Sequence, residues 1–111
     1  MEIESNVKNS IAIIALSSKI LGSPEDTKLF ENRVTTLMDQ GINKVILDLS
    51  QVKRINSTGL AILITGFNLL ANSGGQFVLA QLNDFIKGAL TITKLDNVLT
   101  YYDTIEEAEN K

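Results

Sequence analysis

The sequence predicts a single α/β domain over residues 1–111, with a mixed, mostly parallel β-sheet, an N-terminal hairpin and about four helices. Strand-like and helix-like segments alternate after the hairpin, which is typical of parallel strands joined by crossover helices. Residues 44–50 form a short apolar run, as expected for a central strand covered on both faces. The chain has 111 residues, of which 44% are hydrophobic, and this is the usual size and composition of one globular domain.

The first two predicted strands form an antiparallel hairpin. Residues 2–8 are a weak, polar strand, and residues 8–10 provide a turn. Residues 11–16 are rich in β-branched side chains and form the second strand. A polar loop is expected to lead from this strand to Gly22.

The first predicted helix begins with a strong capping signal. Ser23 is expected to be the N-cap, Pro24 occupies the first helical position, and Asp26 follows three residues after the cap. Apolar residues recur at helical spacing as far as Met38, and Gly41 is expected to end the helix.

The next units alternate strand and helix. The strand at 44–50 is followed by a helix over residues 58–73, which Gly74 and Gly75 end, and by a strand over residues 76–81.

The last part of the chain repeats this alternation on a smaller scale. Asn83 is expected to cap a third, shorter helix, and residues 98–102 form a last strand. Thr104 and Glu107 have the spacing of a capping box for a C-terminal helix.

The chain contains no cysteine and no histidine. Thiolate metal sites, cysteine nucleophiles and serine–histidine–acid triads are therefore excluded. We expect no metal site, no cofactor and no catalytic residues. A hydrolase that uses Ser57 as its nucleophile would need a lysine or carboxylate base, and we regard this as the weakest hypothesis.

Charge and hydropathy narrow the class of partner. The net charge is −3, the longest basic run is Lys53–Arg54, and aromatic residues make up 5% of the chain. Nucleic-acid binding usually needs a basic stripe or aromatic stacking platforms, so we expect no nucleic-acid partner. No apolar segment has the length of about 20 residues that a membrane helix needs, and the N-terminus is acidic. We therefore expect a cytoplasmic protein without direct membrane insertion.

An uncharged segment extends from Ile55 to Asn83, although 21% of the whole chain is charged. The helix within it has one apolar face at spacings of three and four, which is expected to be core. That face comprises Leu60, Leu63, Ile64, Phe67, Leu70 and Ala71. The opposite stripe comprises Thr58, Ile62, Thr65, Gly66 and Leu69. Either both sides of the helix are buried by the rest of the fold, or this stripe docks another protein.

Ser57 stands at the predicted start of this helix, where an N-cap belongs. A hydroxyl at a helix N-terminus is well suited to carry a phosphate, because free amides and the helix dipole favour a negative group. Gly59 in the first turn is expected to leave the helix N-terminus open to close approach from outside. A plain structural cap and a modified serine both remain open on chemistry alone.

Asp48 lies near the end of the predicted strand at 44–50. It is a candidate ligand for an oxygen-preferring cation. The alternative, which we favour, is that its carboxylate accepts hydrogen bonds from loop amides and so supports the turn into the second helix.

Residues 45–64, V-I-L-D-L-S-Q-V-K-R-I-N-S-T-G-L-A-I-L-I, resemble the signature of the STAS domain family. The signature is a strand that ends D-L-S, a short loop, and an acid-Ser-Ser/Thr-Gly-Leu turn that opens an apolar helix. The element order is similar over nearly the whole chain. A free-standing domain of this size most resembles the bacterial anti-sigma factor antagonists.

The resemblance implies a protein-binding switch rather than an enzyme. In that family the first hydroxyl of the turn is phosphorylated by a serine kinase that is also the anti-sigma factor, and the unphosphorylated form binds this kinase. A metal-dependent serine phosphatase removes the phosphate. By position in the motif, the implied acceptor is Ser57, followed by Thr58, Gly59 and Leu60. The expected partner-binding residues are Asn56, Ser57, Thr58, Gly59, Ile62, Thr65, Gly66 and Leu69.

Asn56 departs from the family, which usually has aspartate before the acceptor. Asparagine keeps the turn chemistry and removes the charge. This departure favours an alternative function, in which the chain is a non-phosphorylated scaffold subunit of a stress-signalling or lipid-transport complex.

Overall fold

A computed structural model describes all residues, 1–111. Five strands form one sheet in the order β1-β2-β3-β4-β5. The strands are β1 (Glu2–Lys8), β2 (Ile11–Leu21), β3 (Lys44–Ile55), β4 (Gln76–Ala80) and β5 (Thr100–Tyr102). β1 and β2 are antiparallel, and the remaining neighbours are parallel. The predicted fold class, with its N-terminal hairpin and mostly parallel sheet, is confirmed.

Four helices accompany the sheet. They are α1 (Pro24–Asp39), α2 (Ser57–Asn72), α3 (Asp84–Ile92) and α4 (Ile105–Asn110). A short 3₁₀-helix, Leu95–Asn97, precedes β5, so the last strand is shorter than predicted. None of the helices has the length and apolar character needed to span a membrane.

The order of the strands decides where the helices lie. The parallel strands advance across the sheet in chain order, and right-handed crossovers then place α1, α2 and α3 on the same face. That face holds a core of 22 buried residues. The opposite face has a cluster of four buried residues, to which α4 contributes Ala108.

The capping signals read from the sequence are present. The Ser23 side chain accepts a hydrogen bond from the Asp26 amide at 3.1 Å. Asn83 and Thr104 cap α3 and α4 in the same way. Three of the four helices therefore start where the sequence predicts.

β2 and β3 are longer than predicted. The expected loop before Gly22 is strand as far as Leu21, and β3 continues from Ser50 to Ile55. Beyond Asp48, the last residue of β3 that pairs with β4, β3 pairs with β2 alone. One face there is exposed and its side chains are polar, so the apolar run that predicts a central strand stops early.

Candidate partner-binding site at the start of helix α2

Asn56, not Ser57, is the N-cap of α2. Its backbone is extended, with φ −107° and ψ −174°, and its Oδ1 accepts a hydrogen bond from the Gly59 amide at 2.9 Å. The prediction that Ser57 caps the helix is therefore wrong. β3 extends to Ile55, so Asn56 is the first residue that can turn into the helix, and asparagine caps as well as serine.

Ser57 is the first residue of α2, and its side chain is exposed. The hydroxyl makes no hydrogen bond within the chain. No acidic residue stands in the first turn of α2, so no carboxylate of that turn offsets the partial positive charge of this helix end. The Ser57 hydroxyl can therefore be modified without the loss of a hydrogen bond, whereas a hydroxyl that caps the helix would have to give up its bond first.

The Asn56 amide makes a second hydrogen bond in addition to the cap. Its Nδ2 donates to the carbonyl oxygen of Gly22 at 2.9 Å. One side chain therefore accepts from α2 and donates to the turn that joins β2 to α1. A carboxylate has the same shape but no proton to donate, so aspartate cannot make both bonds.

Two glycines allow the backbone segments beside this cap to approach closely. A Cβ on Gly59 would fall on the carbonyl oxygen of Leu21, and a Cβ on Gly22 would fall on the Asn56 amide oxygen. Gly22 also has φ +139°, a conformation that side chains rarely adopt. Gly59 is buried, so its prediction as a partner-binding residue is wrong. Its close contact is with β2 inside the fold and not with an outside molecule.

Ile62 and Gly66 were expected on the docking stripe, and this prediction is also wrong. Ile62 has an exposed fraction of 0%, and Gly66 is buried. A Cβ on Gly66 would lie 2.6 Å from the ring of Phe77 and 3.0 Å from that of Phe30. α2 packs against both the sheet and α1, so its buried arc is wider than one helical face. Leu69 is half-buried and packs against the core.

The outward face of α2 is a different stripe. It comprises Thr58, Ala61, Thr65, Asn68 and Asn72. These residues recur at spacings of three and four, and none is charged. The predicted stripe omits Ala61, Asn68 and Asn72, because it was centred on a side of the helix that is partly buried. We call these five residues the α2 outer stripe.

An apolar patch lies at the same end of the sheet as Ser57. Ile20, near the end of β2, is 56% exposed, and its strand partner is Arg54 of β3. The Arg54 guanidinium lies 5.6 Å from the ring centre of Phe85, which is 49% exposed. Sequence reasoning did not recognise this patch, because it placed Ile20 and Arg54 in loops. Exposed aromatic, aliphatic and arginine side chains are typical of protein contacts.

Asp48 lies away from Ser57 and makes hydrogen bonds within the sheet. Its Oδ1 accepts hydrogen bonds from the Ser50 amide and from Nε2 of Gln81, both at 2.9 Å. It therefore ties β3 to the residue after β4. The expected acceptance from a backbone amide is present, although Ser50 lies within β3 and not in a turn into α2. No group of three or more carboxylates lies close enough to hold a metal ion.

The family model described as "STAS domain" matches residues 2–108. The chain belongs to the STAS domain family, as its sheet order and the position of Ser57 at the start of α2 also indicate. It is 35% identical over 85 residues to a Thermotoga maritima protein described as a "putative anti-sigma factor antagonist". This match covers 76% of the chain and 75% of that relative.

Solved structures have the same fold. The crystal structure of the Thermotoga maritima protein TM1081, described in the same terms, has a TM-score of 0.83 at 29% identity, over 97% of this chain and 92% of that one. The unphosphorylated form of the anti-sigma factor antagonist SpoIIAA has a TM-score of 0.80 at 15% identity, over 98% and 94% of the two chains. The phosphorylated form of SpoIIAA from Bacillus has a TM-score of 0.73 at 16% identity, over 98% and 97%. At these identities the likeness to SpoIIAA is one of fold.

Proposed function

We propose that this chain is an anti-sigma factor antagonist that acts as a protein-binding switch. The unphosphorylated chain binds an anti-sigma factor that is also a serine kinase, and phosphorylation of Ser57 releases it. A metal-dependent serine phosphatase resets the switch. Relatives described as anti-sigma factor antagonists support the class of function. The observation that carries the proposal is the exposed, unbonded Ser57 hydroxyl at the first position of α2.

The surroundings of Ser57 suit a docking surface. The α2 outer stripe is uncharged and begins beside Ser57, and the patch of Ile20, Arg54 and Phe85 lies at the same end of the sheet. An uncharged helical face costs little to desolvate, and exposed apolar side chains gain by burial. A partner that covers both surfaces would also cover the Ser57 hydroxyl.

Phosphorylation would reverse this balance through charge alone. A phosphate adds about −1.5 to −2 charges at the centre of the contact. Burial of that charge without a counter-ion opposes docking. The domain itself tolerates the phosphate, because the N-terminus of α2 carries partial positive charge and has no carboxylate in its first turn. The switch therefore needs no change of fold.

Asn56 no longer favours the scaffold alternative. The amide is needed for the hydrogen bond to Gly22 as well as for the cap, which gives a structural reason for asparagine at this position. This structural reason is compatible with phosphorylation of Ser57, so asparagine at this position does not need a scaffold function to explain it.

The phosphorylation step is tested by the intact mass of the protein isolated from its own cells, before and after phosphatase treatment. We expect a fraction with one added phosphate that phosphatase removes, and fragmentation that places it on Ser57. A protein that stays unmodified under all growth conditions would support the scaffold function.

The binding step is tested by titration of the co-purified anti-sigma factor kinase against three variants. Ser57→Asp should weaken binding well over tenfold, and Ser57→Ala should leave it nearly intact. Ser10→Asp is the matched control, because Ser10 is exposed in the hairpin turn at the opposite end of the sheet. Equal affinities for Ser57→Asp and Ser57→Ala would contradict the switch.

A further inference from the structure

The two edges of the sheet differ in length and protection. β5 is an edge strand of three residues, whereas β1 has seven residues and pairs with β2 alone. Six of the seven β1 residues are exposed. The free edge of a strand this long presents unpaired N–H and C=O groups that can template a further strand.

The side chains of β1 are divided between the two faces of the sheet. Ile3 packs against the main core, and Ser5 Oγ accepts a hydrogen bond from Arg33 of α1 at 2.8 Å, so the odd-numbered residues face the helices. Glu2, Glu4, Asn6 and Lys8 therefore share the opposite face. Only α4 lies on that face, and it packs against β3, β4 and β5.

The charges on β1 have no partner within the chain. The two ion pairs in the structure join Met1 to Asp26 and Lys87 to Asp103. The acidic Glu2 and the basic Lys8 stand at opposite ends of the strand, too far apart to meet each other. An antiparallel strand of the same sequence would bring these opposite charges together.

We propose that β1 binds the β1 strand of a second copy of this chain, antiparallel and with Ser5 opposite Ser5. Glu2 then faces Lys8 of the second copy, and the same contact recurs across the two-fold axis. Ile3 faces Val7 of the second copy on the helix side. All seven residues of β1 are paired, and two five-stranded sheets become one of ten strands. This contact goes beyond the proposed switch and does not involve Ser57.

The pattern selects this register. A shift of two residues in one direction places Glu4 opposite Glu4, and like charges directly opposite are destabilising. A shift of two residues in the other direction places Glu4 opposite Lys8 but leaves Glu2 and Ile3 unpaired, so fewer residues of β1 contribute to the contact. A shift of one residue brings side chains from opposite faces together.

Two exposed apolar side chains flank the same edge. Val7 is 48% exposed, and Leu29 of α1 is 42% exposed and lies one helical turn before Arg33. Both gain by burial against a second copy. The two Arg33 side chains would meet across Ser5 at the axis, and this repulsion keeps the association weak. Relief of that repulsion in Arg33→Gln should tighten the dimer.

Charge reversal provides the test. Sedimentation velocity at low salt, from about 10 μM to about 1 mM, covers the affinities expected of a small interface. Glu2→Lys and Lys8→Glu should each weaken self-association at least about tenfold, because each turns two symmetric attractions into repulsions. The double variant should associate within about threefold of the wild type, because its reversed charges attract again. Glu106→Lys, exposed on α4, is the control for net charge and should associate as the wild type does.

Several results would overturn the proposal. One is a wild type that stays monomeric to about 1 mM. Another is a double variant whose self-association is no stronger than that of the single variants. A third is a loss of self-association in Glu106→Lys equal to that in the single variants. Hydrogen exchange of the wild type alone provides a second measurement. Amides of β1 should become more protected as concentration rises, whereas protection confined to another element would place the dimer contact elsewhere.

Discussion

Helices α1 and α2 have the same length, 16 residues each, and pack against each other on one face of the sheet, yet their outer surfaces differ. α1 carries six charged residues and α2 carries none. The outward face of α1 is solvated in the ordinary way. The fold therefore does not require an uncharged helix in this layer. The absence of charge is therefore specific to α2, as expected for a surface that another protein covers.

The two helices also start differently. At α1, Ser23 accepts one hydrogen bond, and two acidic residues follow in the first turn. At α2, Asn56 both accepts and donates, the first turn has no acid, and Gly59 brings the helix against β2. The Ser23 side chain caps α1 through a hydrogen bond within the helix start itself. The start of α2 also contacts Leu21 and Gly22 at the end of β2.

The largest effect is expected where the close approach of α2 to β2 is broken. Gly59→Ala should lower the free energy of unfolding by about 3 kcal/mol, because the new methyl group falls on a backbone carbonyl that cannot turn away. Gly88→Ala in α3 is the matched control, because a Cβ there meets nothing within 4 Å. It should raise stability by about 0.5–1 kcal/mol. Urea denaturation measures both, and equal behaviour would mean that α2 can shift freely on the sheet.

The second prediction concerns the two caps. Asn56→Asp should lower the free energy of unfolding by about 1–2 kcal/mol, because the bond to the Gly22 carbonyl is lost and two oxygens face each other. Ser23→Asp adds the same charge at the start of α1 but removes no donor that the fold uses. It should change stability by less than about 0.5 kcal/mol. Thermal denaturation compares the two variants. An Asn56→Asp protein as stable as the wild type would show that the hydrogen bond from the Asn56 amide to Gly22 does not contribute to stability.

The third prediction separates binding from stability on the outer surfaces. Asn68→Glu on the α2 outer stripe should weaken binding of the anti-sigma factor kinase about tenfold, because it places an unpaired charge in the contact. Asn32→Glu makes the same change on the exposed face of α1 and should leave binding unchanged. Neither should shift stability by more than about 0.5 kcal/mol. Isothermal titration with both variants decides it, and equal losses would show that α1 is also part of the contact.

The smallest effects are expected from charges at the helix N-termini. Ser57→Asp should leave stability unchanged or raise it by about 0.5 kcal/mol, because the first turn of α2 lacks an acid. Glu25→Gln in α1 removes such an acid and should cost a similar amount. Both shifts amount to a few degrees in melting temperature. A collapse of the melting transition in Ser57→Asp would mean that its loss of binding reflects misfolding.

Most of the fold could be predicted because local signals agree with it. Helix caps, the glycines that end helices and the alternation of strand and helix all depend on residues that are close together in the sequence. The ends of β2 and β3 were not predictable in this way, because their polar residues are held by pairing with each other and not by burial. Ile20 and Arg54 were therefore not recognised as part of an exposed patch.

The site was predicted in part. Ser57 and Thr58 are exposed, as a contact with a partner requires, and their role stays a prediction, whereas the resemblance to the STAS family is confirmed. The choice between Asn56 and Ser57 as the cap depends on where β3 ends, which the two residues themselves do not reveal. Gly66 was misplaced because its burial depends on Phe30 and Phe77, which are distant in sequence.

The chain-order arrangement of the sheet also affects how the molecule is made. No strand has to be inserted between two strands that have already paired, because each lies beside its predecessor. A chain that emerges from the ribosome can complete the β1–β2 hairpin and then add one strand and one helix at a time to the growing edge. Each parallel pair nevertheless joins residues that are distant in the chain, such as Ile11 and Lys44, so these pairings should form more slowly than the β1–β2 hairpin. β5 and α4 follow β4 in the chain, so a partly synthesised chain exposes Val78 and Ala80 until these two elements are in place.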